Sequence, residues 1–333
     1  MLKTKWVNWA IGVALMFLVV YGIGKWLGID GKEESVQATV KNNYMNEQGL
    51  IHAYPKQQNS QYLSESIGLY MQYLVLVHDR NTFEQQVEQL QDYFIVRKNG
   101  DLYIQWALNE ATNVNALIDD LRIIDALQSA SKVFNKPTYE TLAKKLASSI
   151  QKKQTPDGYY VDFYDWSTDS PASRVTLSYL TREFFTAFSD NHGTKQLLES
   201  LDGSLTFFPE YFDTKSGMFN DREEVHLIDQ LLIALNRENI GQPSPSFEEW
   251  VTTEWRSQGK LYGRYNRETK EATVNYESLS VYYFLQQYFR EINKNDLANE
   301  VVKHAQQLAD ESTIGKAHFF DYIHYQQMLK END

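Results

Sequence analysis

Apolar residues recur along this chain at two different spacings, and each predicts a different element. Residues 6–27 are almost wholly apolar, and residues 10–20 are continuously so apart from glycine. A helix of about 20 residues crosses a hydrocarbon core of about 30 Å. Trp6, Trp9, Tyr21 and Trp26 fall near the two ends of the run, where amphipathic rings favour the membrane interface. Lys3 and Lys5 precede it, which predicts a cytoplasmic N-terminus with the rest of the chain outside. The run exceeds the apolar region of a secretory signal, and residues 21–27 offer no small-x-small cleavage pattern. The expectation is therefore an uncleaved anchor over 1–28, a polar linker over 29–45 and one domain over 46–333.

Beyond the linker the spacing becomes helical. Ser64 is expected to cap a segment that runs to His78, with Ile67, Met71, Leu74 and Val77 on one face. Asn81 is expected to cap the next, where Phe83, Val87, Leu90 and Phe94 align. Leu117, Leu121, Ile124 and Leu127 mark a third, and Pro137 opens a fourth at its first turn. Further helical runs are expected at about 172–189, 193–200, 223–237, 246–258, 276–292, 295–310 and 319–330. Asn99-Gly100 is a turn signal between two short apolar runs and predicts a hairpin. Alternation over 259–274 predicts a second. About eleven helices in antiparallel-looking pairs predict an all-α fold, an (α/α)6 barrel. A helical solenoid is the alternative, and the irregular helix lengths argue against it.

Composition narrows the function. Net charge is −12, and nucleic-acid binding requires a positive surface that displaces counterions. No nucleic-acid partner is expected. The absence of cysteine removes disulfides, thiol nucleophiles and cysteine-ligated zinc. The seven His show no tight metal-ligand spacing, and His318 and His324 read as structural or surface residues. No metal or cofactor is expected. Tyr 22, Phe 17 and Trp 7 suit either a large core or a groove that stacks flat sugar faces.

The informative carboxylates sit on apolar helix faces, where an unpaired charge is costly. Asp229 shares its side with Val225, Ile228, Leu232 and Leu235. It needs a partner, such as a buried arginine, or a chemical task. Asp120 repeats the pattern with Ile124 and Leu127, and Asp119 beside it points about 100° away. Glu65 falls in a first helical turn, where the helix dipole favours an anion and a plain surface glutamate is the ordinary reading.

Residues 64–71, Ser-Glu-Ser-Ile-Gly-Leu-Tyr-Met, resemble the Ser-Glu-Gly-x-x-Tyr-Gly-Met signature of glycoside hydrolase family 8. Asp79-Arg80-x-x-Phe83 is similar to the family's Asp-x-x-x-Phe continuation. Residues 118–127 resemble its Asp-x-Asp-x-Asp-Ile-Ala-x-Ala-Leu block, and 226–230 sit where the family carries its general base. The anchored form is most similar to Gram-positive hydrolases of exopolysaccharide operons.

The resemblance implies an inverting glycosidase on an (α/α)6 barrel, with Glu65 as general acid, Asp229 as general base and Asp120 positioning the sugar or the water. Asp119, Trp106, Tyr160, Trp166 and Tyr265 are candidate substrate contacts, although packing is the ordinary role for each of these aromatics. Among the departures from the pattern, Ser66 replaces a glycine, Leu69-Tyr70 replaces Tyr-Gly, and Ile118 replaces the first carboxylate of the block. They imply a substrate other than plain cellulose or xylan. The expected substrate is a secreted exopolysaccharide or matrix polymer, β-linked, with the membrane and exopolysaccharide synthase machinery as partners. An inactive polysaccharide-binding protein that assists export is the alternative. A lyase or unsaturated-uronide hydrolase on the same barrel is a third reading.

Overall fold

The computed structural model describes residues 34–55, 61–311 and 314–332. The expected anchor over 1–28 lies outside them, and no helix among the described residues is long and apolar enough to cross a membrane. The chain divides into two units between Thr39 and Val40. The described part of the first contains one helical turn, Val36–Thr39.

The second unit is mostly helical. Its helices are α1 (Ser64–Leu76), α2 (Arg80–Gln89), α3 (Leu117–Val133), α4 (Pro137–Lys153), α5 (Arg182–Ala187), α6 (His192–Glu199), α7 (Leu227–Asn239), α8 (Pro245–Gln258), α9 (Leu279–Glu291), α10 (Asn295–Glu311) and α11 (Phe319–Glu331). Six form an inner ring. Helix α1 packs on α3, α3 on α5, α7 on α9, α9 on α11, and α11 back on α1. Between α5 and α7 the ring is closed by the 3-10 turn Leu177–Tyr179, which packs on α7. Asn236 of α7 donates to the carbonyl oxygen of Leu177. The remaining helices lie outside: α2 on α1, α4 on α3, α6 on α7, α10 on α9. Helix α8 is seated by Phe247 against Tyr288 and Trp255 against Tyr282. The π-helical turn Val40–Tyr44 covers α11, with the Tyr44 ring on Phe319 and Tyr322. This is the (α/α)6 arrangement.

Apolar burial drives the packing, because rings such as Tyr70, Phe83, Tyr282, Phe289 and Phe319 are fully enclosed. The approach of α1 to α3 needs a missing side chain. A Cβ on Gly68 of α1 would lie 3.1 Å from Ile123 Cγ1 of α3, so glycine sets the spacing of these two helices one turn below Glu65.

Several boundaries differ from the sequence expectation. Leu63 is the N-cap of α1, and the Ser64 side chain makes no cap bond. Helix α2 is capped by Asp79, whose Oδ1 accepts from Thr82 N at 3.1 Å, not by Asn81. The run at 172–189 is a strand, Arg174–Thr176, then the 3-10 turn, then α5. The run at 223–237 starts as a strand, Glu224–His226. It pairs with Arg264–Asn266, Val225 opposite Tyr265. The expected hairpin within 259–274 also forms, with Tyr265 bridged to Ala272, Asn266 N donating to the Glu271 carbonyl oxygen at 2.8 Å and Thr273 N to that of Arg264 at 3.1 Å. The hairpin around Asn99-Gly100 is present, with Ile95 opposite Ile104. A three-stranded sheet of Arg174–Thr176, Tyr211–Asp213 and Met218–Asn220 had no clear signal, since three-residue strands are too short to show a period.

Candidate active site

Every inner helix other than α9 carries a carboxylate in its first turn; on α5 it is Glu183, which lines a cavity with Asn239 and Glu291 at the far ends of α7 and α9. Glu65 is on α1, Asp119 and Asp120 on α3, Asp229 on α7 and Asp321 on α11. In the order of the ring, α7 stands opposite α1. The helix dipoles put partial positive charge at the first turns of α1, α3, α7 and α11, the mouth of the barrel, which makes carboxylates tolerable there.

Glu65 belongs to a closed polar ring between α1 and α3. Arg122 Nη1 donates to Glu65 Oε1 at 2.8 Å and to Asp119 Oδ1 at 3.2 Å. Ser64 Oγ donates to Asp119 Oδ2 at 2.8 Å. The Ser64 backbone N–H donates to the carbonyl oxygen of Trp106 at 2.9 Å, which ties the Trp106 loop to the start of α1. Burial, with Glu65 adding repulsion, pushes the Asp119 carboxyl up to about 7, against the pull of Arg122 and Ser64.

Asp120 has a separate environment. It is 2% exposed, and its Oδ2 accepts from Asn115 Nδ2 at 2.5 Å. Asn115 also donates to Gln154 Oε1, and Asp120 Oδ1 has no partner among the described residues. Burial pushes this carboxyl well up. Of the neighbouring pair, Asp119 is the one joined to Glu65.

Asp229 is reached from the other side. Ser178 Oγ donates to Asp229 Oδ1 at 2.8 Å, and His226 Nδ1 lies 3.9 Å from Oδ2. No arginine salt bridge holds it among the described residues, and its side chain is 37% exposed against 27% for Glu65. The hydroxyl and the solvent supply what a buried partner would otherwise have to supply.

Sequence reasoning passed over several residues that the fold brings here. Tyr179, next to Ser178, is half-buried. Burial raises its phenol, and Asp162, Asp119 and Asp229 add to the effect. One neutral hydroxyl thus lies within the fields of both the Asp119 and the Asp229 clusters. Asp162 holds the neighbouring strand by accepting from Thr176 N at 2.6 Å and from Arg174 Nε at 2.5 Å. The Asp162 carbonyl oxygen receives Leu117 N at the start of α3. The only early signal was composition: a 3-10 turn of Leu-Ser-Tyr has no period of its own.

The four candidate aromatics divide. Trp106 is exposed and adjoins Ser64. Trp166 is buried in a stack with Tyr103. Tyr160 packs on Phe184 and Phe188, and Tyr265 is fully buried on Trp250. Those three faces are used in packing. Below the mouth lies a cavity of about 270 Å³ lined by Leu69, Ile118, Arg122, Leu232, His324 and Gln327, among others. No cluster of three or more acidic or histidine side chains suited to a metal ion occurs among the described residues.

No family model matches the chain. YdaJ of Bacillus subtilis, a protein named as a candidate lipoprotein, is 31% identical over 253 residues, covering 73% of this chain and 68% of YdaJ. PssZ from Listeria monocytogenes is 38% identical, and its crystal structure superposes with a TM-score of 0.83 over 90% of this chain and 95% of PssZ. Endoglucanase Cel10, a family 8 glycosyl hydrolase from Klebsiella pneumoniae, shares the fold at 16% identity, with a TM-score of 0.63 over 88% of this chain and 97% of Cel10.

Proposed function

The chain belongs to glycoside hydrolase family 8, in the branch that holds PssZ and YdaJ, and from that premise we propose that it is an inverting endo-glycosidase acting outside the cell on a secreted polymer. The observation that carries this reading is the pair Glu65 and Asp229. They occupy the first turns of inner helices on opposite sides of the barrel mouth, and each is partly open to solvent. Glu65 gives its proton to the leaving glycosidic oxygen. Asp229, kept in place by Ser178, takes a proton from the attacking water. Inversion requires the two carboxyls about 6.5–9.5 Å apart, so that the water fits between base and sugar.

Two further assignments follow. Trp106 is an exposed ring joined to the start of α1, placed to stack on a sugar beside Glu65. Ile118 removes a carboxylate from the floor of the site, which favours a matrix polymer over unmodified β-1,4-glucan or xylan. The domain is held at the membrane. YdaJ is named for a lipid anchor, but this chain has no cysteine for a thioether-linked lipid. The apolar run over 6–27 is then the anchor, in the orientation set by Lys3 and Lys5.

The test is stereochemical. Proton NMR of the first products from the organism's own matrix polymer should show the anomer opposite to that of the cleaved bond. Retained configuration would refute a base acting through water. Release of short reducing fragments, rather than single sugars, checks endo action in the same tubes.

A further inference from the structure

An arginine within hydrogen-bond distance of a carboxyl that must deliver a proton calls for explanation. The contact is one-sided. Arg122 Nη1 reaches Glu65 Oε1 alone, at 2.8 Å, and Oε2 has no hydrogen-bond partner among the described residues. The same Nη1 reaches Asp119 Oδ1, whose other oxygen is taken by Ser64. The Arg122 side chain is only 13% exposed, so water does little to screen it. One guanidinium is bonded to two carboxyls, and Glu183 of α5 adds a third negative neighbour, so the site is eased when one of the bonded two carries a proton. Arg122 also stands where the family block carries its third carboxylate, so this chain has a cation where the pattern has an anion.

We infer that Arg122 is the positioning residue of the acid: it grips Glu65 by Oε1 and leaves Oε2 as the oxygen that carries and delivers the proton. The inference rests on the proposed role of Glu65. As the glycosidic C–O bond breaks, the proton on Oε2 passes to the leaving oxygen and its electron pair stays on the Glu65 carboxyl. The guanidinium already bonded to Oε1 then faces the new carboxylate. Asp119 Oδ1 accepts from the same nitrogen, which fixes the orientation of the guanidinium.

The experiment compares wild type with Arg122→Met and Arg122→Lys. Kinetics on the matrix polymer are read with a carbon-13 NMR titration of the Asp119 carboxyl, assigned through Asp119→Asn. In Arg122→Met, kcat should fall about 100-fold with KM within about twofold, and added guanidinium should restore part of the loss. The Asp119 midpoint should rise by roughly one pH unit or more as its neighbouring cation is lost. Arg122→Lys keeps the charge without the planar fork, so its midpoint should stay near wild type while kcat still falls. If Arg122 merely crosslinks α1 and α3, both variants lose thermal stability but keep wild-type kcat per folded molecule, and the inference is overturned. Should Arg122→Met fail to fold, the Arg122→Lys split between midpoint and kcat decides the matter. Should wild type cleave no polymer, the proposed function fails on its own. The titration of folded Arg122→Met then decides alone: an unmoved Asp119 midpoint overturns the grip, and a raised one supports it.

Discussion

Asp229 shows how an apolar helix face can mislead at the scale of one residue. Its neighbours on the helix predict burial and an ion-pair partner, yet its side chain is 37% exposed and hydrogen-bonds to Ser178. The cost of an amide there is correspondingly small. Asp229→Asn should lose no more than about 1 kcal/mol of stability, since no buried charge is stranded. Its turnover should fall by about 10²–10⁴-fold, the range of a general base. Glu65→Gln should behave alike. An Asp229→Asn protein as active per folded molecule as wild type would refute the assignment. A second residue bears on pH rather than rate. His324 is buried, with Nδ1 2.9 Å from Ser280 Oγ, and burial with Arg122 nearby lowers it to about 3. Its unfolded value is about 6.5, so the unfolded chain binds the extra proton between those limits. Stability therefore falls as pH drops through that window, and at pH 5 this one group costs about 2 kcal/mol relative to neutral pH. Urea denaturation at pH 7 and pH 5 should show the loss, and His324→Gln should flatten it. An equal loss in the variant would assign the acid sensitivity elsewhere. The sequence made Asp120 and Asp229 legible because each falls on an apolar helix face, and Glu65 through the motif at 64–71. Arg122, Ser178 and Tyr179 were not, because their importance comes from contacts between elements far apart in the chain.

Elements were legible in proportion to their length. Helices of 13 to 17 residues such as α1, α3, α4 and α9 carry three or more turns of apolar spacing, and their existence was plain. Their starts were less so. Ser64 and Asn81 look like caps, but backbone geometry gives the first role to Leu63 and the second to Asp79. Ser64 is diverted because its hydroxyl finds Asp119 on another helix, a tertiary bond invisible in the local sequence. This yields a paired prediction. Asp79→Ala should cost about 1 kcal/mol, since it removes the acceptor for Thr82 N. Asn81→Ala should stay within about 0.5 kcal/mol. Thermal melts of the two variants in parallel check it, and the reverse order would contradict the cap assignment. The short strands mattered more than their size suggests. Glu224–His226 leads directly into α7 and is pinned by Arg264–Asn266, with Arg264 Nη1 2.7 Å from Glu224 Oε1. That pairing fixes where the turn bearing Asp229 begins. A three-residue strand has too few positions to show alternation, and its partner follows only after the whole of α7 and α8, so neither strand nor pairing could be read locally.

At the scale of the whole molecule, the proposed function requires the barrel to meet a polymer outside the cell, and the segment 1–28 bears on that meeting. Burial of about 20 apolar residues in a bilayer is strong enough to make attachment effectively permanent. Lys3 and Lys5 then decide the side, because the short positively charged flank stays in the cytoplasm. In the proposed orientation the rest of the chain follows outside, where the acidic balance of the sequence, −12 in all, favours solubility. Two results should follow together. In cells stripped of their wall, added protease should digest the domain of the full-length protein, which should sediment with membranes. A chain lacking residues 1–28, exported on an unrelated cleaved signal, should appear in the medium, folded and with wild-type kcat on dissolved polymer. The comparison separates anchoring from folding: the closed ring of inner helices, from α1 to α11 packing back on α1, is built from residues after Leu63 and needs no anchor to close. Protection of the full-length domain from protease would sink the proposed orientation. Release of the full-length protein into the medium would show that the apolar run is removed, leaving the enzyme free to diffuse to its polymer.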